Sequence, residues 1–249
     1  MGWTIGIFSA KGGVGKSLIA ANLGAALSML PDSPTLVVDL HPVSGSADLL
    51  LDVKPEKSWV DLLPVVQELT ERQIQLAAAD CGHSLELLAA PGSFWRNRLD
   101  RDWCPDLAAL VSALEGHYQF LVADGFVPQN GLYSHFQFDL QLIVVTPDAP
   151  ALRATSRFWE EYGQQQANFG LVLNQWHADC GIRPREIQDH LGLPLWAVLP
   201  IQKRSVWQNI TYGTLCVHQG KNPLREAFHK LAVRILKSAE KGSFFEFED

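Results

Sequence analysis

Short apolar runs alternate along the chain with longer segments in which apolar residues recur at helical spacing. The apolar runs predict seven strands, at residues 5–8, 35–39, 85–89, 119–123, 140–146, 169–174 and 195–199. The other segments predict helices at residues 18–30, 58–68, 104–115, 150–166, 183–190 and 222–238. Because the apolar runs are continuous, they are typical of strands buried on both faces of a parallel sheet. The predicted fold is α/β, a three-layer sandwich around a mainly parallel twisted sheet of about seven strands.

Nothing along the chain marks a boundary between domains. There is no internal repeat and no linker rich in proline, glycine or serine. With 249 residues, of which 47% are apolar, the chain can bury one large core. We therefore predict a single domain over residues 1–249, in which roughly the last ten residues, 240–249, form a flexible acidic tail.

A glycine-rich turn, Lys11-Gly-Gly-Val-Gly-Lys-Ser17, joins the first predicted strand to the first predicted helix. Its glycines allow backbone conformations that other residues rarely adopt, so that successive N–H groups and the helix dipole can face a phosphate. Lys16 can then reach the β- and γ-phosphates of a nucleotide, and the Ser17 hydroxyl can ligate Mg²⁺. The general phosphate-loop pattern begins with a glycine, where this chain has Ala10. The turn predicts a nucleoside triphosphate site.

This turn resembles the deviant Walker A motif of the MinD/ParA family of P-loop ATPases. The resemblance implies a MinD/ParA-like domain that binds ATP or ADP with Mg²⁺ and that forms a homodimer with ATP. It also implies that Lys11 crosses the dimer interface to the nucleotide of the other subunit. Alone, a glycine-rich turn can bind nothing, but the flanking strand and helix favour a phosphate site. The implied nucleotide-binding residues of the turn are Gly12, Gly13, Val14, Gly15, Lys16, Ser17 and Leu18.

The second predicted strand ends at Asp39-Leu-His41, where the family has two aspartates before its switch I segment. The resemblance implies that Asp39 helps to hold Mg²⁺, while His41 stands in place of the acid that orients the attacking water. A histidine can bond to a water, but it lacks the fixed negative charge of an aspartate. We therefore predict slow hydrolysis, or none without a partner; Asp48 or Asp52 could compensate, or either could be a capping or surface acid. The predicted catalytic residues are Lys11, Lys16 and His41.

A further acid, Asp124, follows the apolar run Phe120-Leu-Val-Ala123 in the manner of a Walker B strand. Alone, such an acid could cap a helix, but beside a phosphate loop it favours a role at Mg²⁺, because that site needs another oxygen source. The next residues, Gly125–Gly131, resemble the family's switch II only approximately. The predicted metal-binding residues are Ser17, Asp39 and Asp124.

A base-binding region is predicted from Val172-Leu-Asn174, which resembles the family's strand that ends in an asparagine bonded to adenine. An amide side chain offers both a donor and an acceptor, as a purine edge requires. Judged from the residues alone, a turn-capping asparagine is equally consistent. Pro200 and the segment Asn209–Gly213 resemble the base-side loop of the family, although the usual acid after the proline is missing.

Within the family, Leu85-Glu-Leu-Leu-Ala-Ala-Pro91 looks most like the CpaE/TadZ branch, whose members help to place pilus or secretion machinery. The resemblance thus implies an ATP-dependent switch that positions a cellular assembly through a protein partner. Two alternatives are a nucleotide-binding scaffold that has lost hydrolysis, which His41 favours, and a ParA-like DNA partition ATPase. An iron–sulfur reductase with the same loop would need a cysteine soon after Asp124, and residues 125–131 contain none.

The charge, the cysteines and the lengths of the apolar runs indicate which partners and which cellular compartment to expect. The net charge is −7 and the 20 basic residues are scattered, which argues against direct DNA binding; the densest groups are Arg96, Arg98 and Arg101, and Lys203 with Arg204. The 4 cysteines are dispersed, as in reduced cytosolic proteins. No apolar run is long enough to cross a membrane and no signal-type core follows the N-terminus. We expect a cytoplasmic protein that a partner could recruit to the inner membrane or a pole.

Overall fold

A computed structural model of the chain describes residues 2–42, 45–92, 104–125, 136–162 and 168–242. Within these ranges, eight strands form one sheet in the order β3-β4-β2-β5-β1-β6-β7-β8. The pairs are parallel except β3 with β4, which is antiparallel. The strands are Trp3–Phe8 (β1), Thr35–Asp39 (β2), Ala79–Asp80 (β3), Leu85–Leu88 (β4), Phe120–Asp124 (β5), Leu140–Val145 (β6), Phe169–Trp176 (β7) and Leu195–Pro200 (β8).

The helices cover both faces of this sheet, so the predicted α/β three-layer architecture is confirmed. The α-helices are Lys16–Ser28 (α1), Ala47–Leu51 (α2), Glu71–Ala77 (α3), Cys104–Leu114 (α4), Ala149–Tyr162 (α5), Pro184–Leu191 (α6), Lys203–Tyr212 (α7) and Pro223–Lys241 (α8). Four short 3₁₀ helices are also described, at Trp59–Asp61, Leu63–Glu68, Ala178–Cys180 and Cys216–His218. None of the described helices is long and apolar enough to cross a membrane.

The structure adds to the predicted elements and corrects one of them. The sheet has eight strands where about seven were predicted, because the edge strand β3 has only two residues and carries no recognisable apolar period. Three helices, α2, α3 and α7, were not predicted. The helix predicted over residues 58–68 is a pair of 3₁₀ helices instead. Pro64 lies in the first turn of the second one, where its missing N–H and fixed φ favour a new helix start over a continuous α-helix.

The first helix lies in the centre of the fold. Every residue of α1 except Ser17 is buried, and the helix packs between the sheet and α8. Its small residues permit this close approach: a Cβ on Gly24 would come within 2.4 Å of the Val37 side chain in β2. A helix that is apolar on all sides is expected to be buried in this way. The turn that precedes α1 is therefore held on a rigid base.

Two buried asparagines connect α1 to α7 and α2. The Asn22 amide donates to Asn209 Oδ1 over 2.7 Å, and the Asn209 amide donates to the Leu50 carbonyl over 2.8 Å. The backbone N–H of Val217 donates to Asn22 Oδ1 over 3.3 Å. Both asparagine side chains are fully buried, so each bond replaces a lost contact with water.

We expect Asn209→Ala to lower the free energy of unfolding by about 1–3 kcal/mol, because one N–H of the Asn22 amide loses its acceptor and the Leu50 carbonyl loses its side-chain donor. Urea unfolding followed by circular dichroism measures the change. Gln208→Ala, in the same helix but partly exposed, is the matched control and should change stability by no more than about 0.5 kcal/mol. Equal stability of the two variants would contradict a structural role for this contact.

Candidate functional site

The candidate site lies at the carboxyl ends of three adjacent strands. In the sheet, β5 lies between β2 and β1, and Asp39 and Asp124 are register partners at the ends of β2 and β5. The glycine-rich turn follows β1, whose Ile7 pairs with Asp124. Ligands of open parallel sheets bind at this edge, so the topology brings together the residues predicted from separate parts of the sequence.

The glycine-rich turn has the backbone that a phosphate loop requires. Gly13 and Gly15 have φ values of 76° and 95°, in the left-handed region that other residues rarely adopt. A Cβ on Gly15 would also lie 2.6 Å from the Asn174 amide nitrogen. Gly15 caps α1 without a side-chain hydrogen bond, so the first N–H groups of the helix are available to an anion.

A cavity of about 560 Å³ opens beside this turn, which is a size suited to a nucleotide. The residues that line it are Gly12, Gly13, Gly15, Lys16, Ser17, Leu18, His41, Ser46, Leu49, Leu50 and Ile210. Lys16 is 8% exposed, and its burial lowers its pKa, while the charge of Asp124 acts in the opposite direction. Burial makes the Lys16 ammonium a strong attractor for phosphate, because water screens its charge less.

Opposite Lys16, two carboxylates and an imidazole meet. His41 Nδ1 lies 3.0 Å from Asp39 Oδ1 and 3.5 Å from Asp124 Oδ2. The other oxygen of Asp39 accepts hydrogen bonds from the backbone N–H groups of Ser46 and Ala47, at 2.9 and 3.1 Å. These bonds tie the start of α2 to the end of β2 and fix the orientation of the Asp39 carboxylate.

Burial dominates the electrostatics of this cluster. Asp124 is fully buried, and burial followed by the charge of Asp39 raises its pKa to about 7. Burial alone would lower the pKa of His41, but the hydrogen bond to Asp39 and the charge of Asp124 outweigh it and raise that pKa. Two adjacent acids that are costly to ionise together favour a bound cation.

The residues present suit a divalent cation. Neither carboxylate oxygen of Asp124 has a hydrogen-bond partner of good geometry among the described residues, although Ser17 is close enough to lower its pKa. Orphaned buried oxygens of this kind are expected where an ion or its water completes the site. Asp39, His41 and Asp124 form a group whose ligand atoms lie within 4.8 Å of one another. The predicted metal-binding residues Ser17, Asp39 and Asp124 are thus adjacent.

Lys11 lies at the outer side of the turn. Its Nζ is 3.3 Å from Asp148 Oδ1, and both side chains are 42% exposed. Asp148 also accepts from the N–H of Ala151 and the hydroxyl of Thr146. Burial is the largest single influence on Asp148 and would raise its pKa, but these hydrogen bonds and Lys11 together outweigh it and lower that pKa. Asp148 was missed by sequence reasoning, since nothing local pairs it with a residue 137 positions away.

The predicted base-binding residues have mixed outcomes. Asn174 ends the buried part of β7, but its amide donates to the Val14 carbonyl over 2.7 Å and so supports the phosphate loop. Pro200 is the last residue of β8 and lies beside Trp176 of β7. The expected loop at Asn209–Gly213 is wrong: residues 209–212 are the last turn of α7, and Gly213 is its left-handed cap.

Some predicted features lie outside the described residues. These are the switch II segment after Gly125, the basic group at Arg96, Arg98 and Arg101, and the tail at residues 243–249. Neither Asp48 nor Asp52 joins the metal-capable cluster in the part of the chain that the structure describes. Leu49 and Ile210 line the cavity and were missed, because the short helix α2 and the polar helix α7 give weak apolar patterns.

Comparison with known proteins agrees with this geometry. The chain is 25% identical to the septum site-determining protein MinD of Thermotoga maritima over 94% of its own length and 88% of that protein. It superposes on a ParA family ATPase of Chlorobium tepidum with a TM-score of 0.83 and 22% identity, covering 94% of this chain and 99% of that one. The TM-score is 0.80, with 23% identity, for MinD of Pyrococcus horikoshii complexed with Mg-ADP, over 98% of this chain and 99% of that one.

A family profile identifies the family. The profile of the CobQ/CobB/MinD/ParA nucleotide binding domain matches residues 5–206, which include the glycine-rich turn, Asp39, Asp124 and Asn174. The match therefore extends over most of the described sheet and over all the residues that line the cavity except Ile210. The chain belongs to the CobQ/CobB/MinD/ParA family of nucleotide-binding domains.

Proposed function

We propose that the protein is an ATP-binding switch of the MinD/ParA type that dimerises on ATP and hydrolyses it slowly. The observation that carries this proposal is the cavity lined by Lys16, the first residues of α1 and His41, with the buried acids Asp39 and Asp124 in contact with the His41 ring. This arrangement offers positive groups to phosphate and carboxylates to a cation. The Pyrococcus horikoshii MinD, a structural neighbour, is complexed with Mg-ADP.

Each part of the cavity has a role in this proposal. The amides of residues 12–17 and the Lys16 ammonium bind the β- and γ-phosphates. The family resemblance assigns Asn174 and Pro200 to the base, although neither residue lines the cavity. Ser17, Asp39 and Asp124 would hold Mg²⁺, which supplies positive charge against the phosphates when it is bound. Asp124 orients water at the cation, because its carboxylate is buried without another partner of good geometry among the described residues.

Slow turnover is attributed to His41. Its Nδ1 faces Asp39 and Asp124, which together favour the cationic form of the ring. An imidazole whose Nδ1 is engaged by two acids, and which lacks the fixed negative charge of an aspartate, is poorly suited to orient an attacking water or to accept its proton. The same observation favours a second candidate function, a scaffold that holds nucleotide and no longer hydrolyses it.

Dimerisation is attributed to the face around the deviant lysine. Lys11 reaches solvent beside the cavity and is held by Asp148, a contact that a γ-phosphate from a second subunit could replace. The exposed apolar face, defined as Leu49, Trp207, Ile210 and Tyr212, is 56–70% exposed and adjoins the cavity at Leu49 and Ile210. Burial of large side chains such as these stabilises an interface by about 1.5–3 kcal/mol each when it is complete.

The wider role proposed is to position an assembly, as in the CpaE/TadZ branch. The protein would stay cytoplasmic, and a partner in a pilus, secretion or polar assembly would recruit it to the inner membrane or pole in its ATP form. DNA partition is the weaker alternative, because a chain with a net charge of −7 is repelled by the DNA backbone. A structural neighbour that fits this alternative is a plasmid partition protein of Borrelia burgdorferi bound to AMPPNP, with 14% identity and a TM-score of 0.68.

We expect Lys11→Ala to abolish ATP-dependent dimerisation while ATP still binds each monomer, because Lys11 points to the outer face and Lys16 to the inner cavity. Sizing chromatography with light scattering, with and without ATP and Mg²⁺, measures the change. Lys54→Ala, an exposed lysine away from the turn, is the control and should dimerise normally. A parent protein that is monomeric in both conditions would count strongly against the switch.

A further inference from the structure

We propose that Asp39, His41 and Asp124 form a divalent-cation site with a direct nitrogen ligand, which binds a first-row transition metal in preference to Mg²⁺. Such a site would take Co²⁺, Ni²⁺ or Zn²⁺, and Mn²⁺ more weakly, before any nucleotide is present. This metal site adjoins the cavity of the proposed function. It depends on that function only in one respect, that phosphate binds after the metal. It assigns His41 to metal binding rather than to the attacking water.

The distances suit coordination. Metal–nitrogen and metal–oxygen bonds of these ions are about 2.0–2.2 Å, so two neighbouring ligands at a right angle are about 3.0 Å apart. His41 Nδ1 is 3.0 Å from Asp39 Oδ1 and 3.5 Å from Asp124 Oδ2. The Asp39 and Asp124 oxygens lie within 4.8 Å of each other, so the three atoms can occupy one face of a coordination shell once a cation draws the two carboxylates together. The opposite face would remain open to water or phosphate oxygens.

An independent observation points to a ligand here. Asp124 is 0% exposed, and both of its carboxylate oxygens lack a good hydrogen-bond partner among the described residues. A buried carboxylate without partners is costly, and a metal ion removes that cost. His41 is the opening to the site, because its side chain is 20% exposed while those of Asp39 and Asp124 are sealed.

The arrangement of buried groups also suits a dication. Two carboxyl groups, those of Asp39 and Asp124, are buried beside one buried ammonium, that of Lys16. The hydrogen bonds from Ser46 and Ala47 satisfy the outer oxygen of Asp39 and leave its inner oxygen toward His41. Such supporting bonds hold a ligand in its coordinating orientation.

The imidazole decides which cation is preferred. Mg²⁺ selects oxygen ligands and gives up its water reluctantly, whereas Co²⁺, Ni²⁺ and Zn²⁺ bind imidazole well. An aspartate in place of His41 would give an all-oxygen site suited to Mg²⁺. The single residue at position 41 therefore changes the metal preference of this cavity.

The test is Co²⁺ binding to the full-length protein without nucleotide, above the ordinary pKa of imidazole, by calorimetry and the visible absorption of bound Co²⁺. We expect one Co²⁺ site that resists a large excess of Mg²⁺. His41→Ala should lower the affinity for Co²⁺ by about tenfold to a hundredfold. His41→Asp should let Mg²⁺ displace Co²⁺, and His229→Ala, an exposed histidine in α8, should change nothing.

Pulsed electron paramagnetic resonance with Mn²⁺ provides a second readout, since a coordinated nitrogen modulates the echo and His41→Asp should remove that modulation. Equal Co²⁺ affinity in the parent and His41→Ala, or no nitrogen coupling in the parent, would overturn the proposal. ATP binding is measured on the same preparation. Binding of ATP–Mg²⁺ without Co²⁺ binding refutes this inference alone, and Co²⁺ binding without ATP binding refutes the proposed function alone.

Discussion

Lys16→Ala is expected to weaken ATP binding by a hundredfold or more, or about 3 kcal/mol. The Lys16 ammonium is buried beside the cavity, where it can make charge-assisted hydrogen bonds to phosphate that water does not screen. Its removal also takes away a positive charge that favours the ionised form of Asp124, so Asp124 becomes easier to protonate and part of the lost positive charge is compensated. The loss of the ammonium is the larger effect, because it removes direct hydrogen bonds to phosphate.

Calorimetry with ATP and Mg²⁺ measures this loss, and circular dichroism checks that the variant is folded. Lys11→Ala is the matched control, because it removes a lysine from the same turn that faces outward to Asp148. The control should bind ATP with nearly the parent affinity. If Lys16→Ala keeps its affinity, phosphate does not lie in this cavity and the proposed switch has no trigger.

The sheet could be predicted from sequence because its signal is local. Runs such as Leu36-Val-Val38 are fully buried in β2, and their apolar character alone reveals a two-sided strand. Helix α7 could not be predicted in this way. The residues that it buries are Ser205 and Asn209, so it shows no apolar stripe, and its partners are polar groups distant in sequence. Its exposed face carries Trp207, Ile210 and Tyr212 instead.

In the candidate site, too, some features could be predicted from local sequence and others could not. Asp39 and Asp124 could be placed from sequence, because each ends an apolar strand and parallel strands end at one edge. The contact of Lys11 with Asp148 and that of Asn174 with Val14 depend on the packing of loops far apart in the chain. The position of the His41 ring between two acids also depends on how the chain leaves β2, which no residue pattern specifies.

His41→Asp is expected to raise the rate of ATP hydrolysis about tenfold to a hundredfold in Mg²⁺. The change replaces an imidazole engaged by Asp39 and Asp124 by a fixed negative charge that can orient the attacking water. It also places a third carboxylate near Asp39 and Asp124. Mg²⁺, which prefers oxygen ligands, can offset the added negative charge. Phosphate release at saturating ATP measures the rate.

His229→Asp makes the same exchange on the exposed side of α8 and should leave turnover unchanged. A loss of activity in His41→Asp would mean that the reaction uses the imidazole itself, and slow hydrolysis would need another cause. A gain of activity together with weaker Co²⁺ binding would instead connect both effects to one residue. An aspartate at position 41 would then give a site suited to Mg²⁺ and to rapid turnover. The histidine of this chain would instead give a site that prefers metals with imidazole ligands and that holds ATP longer.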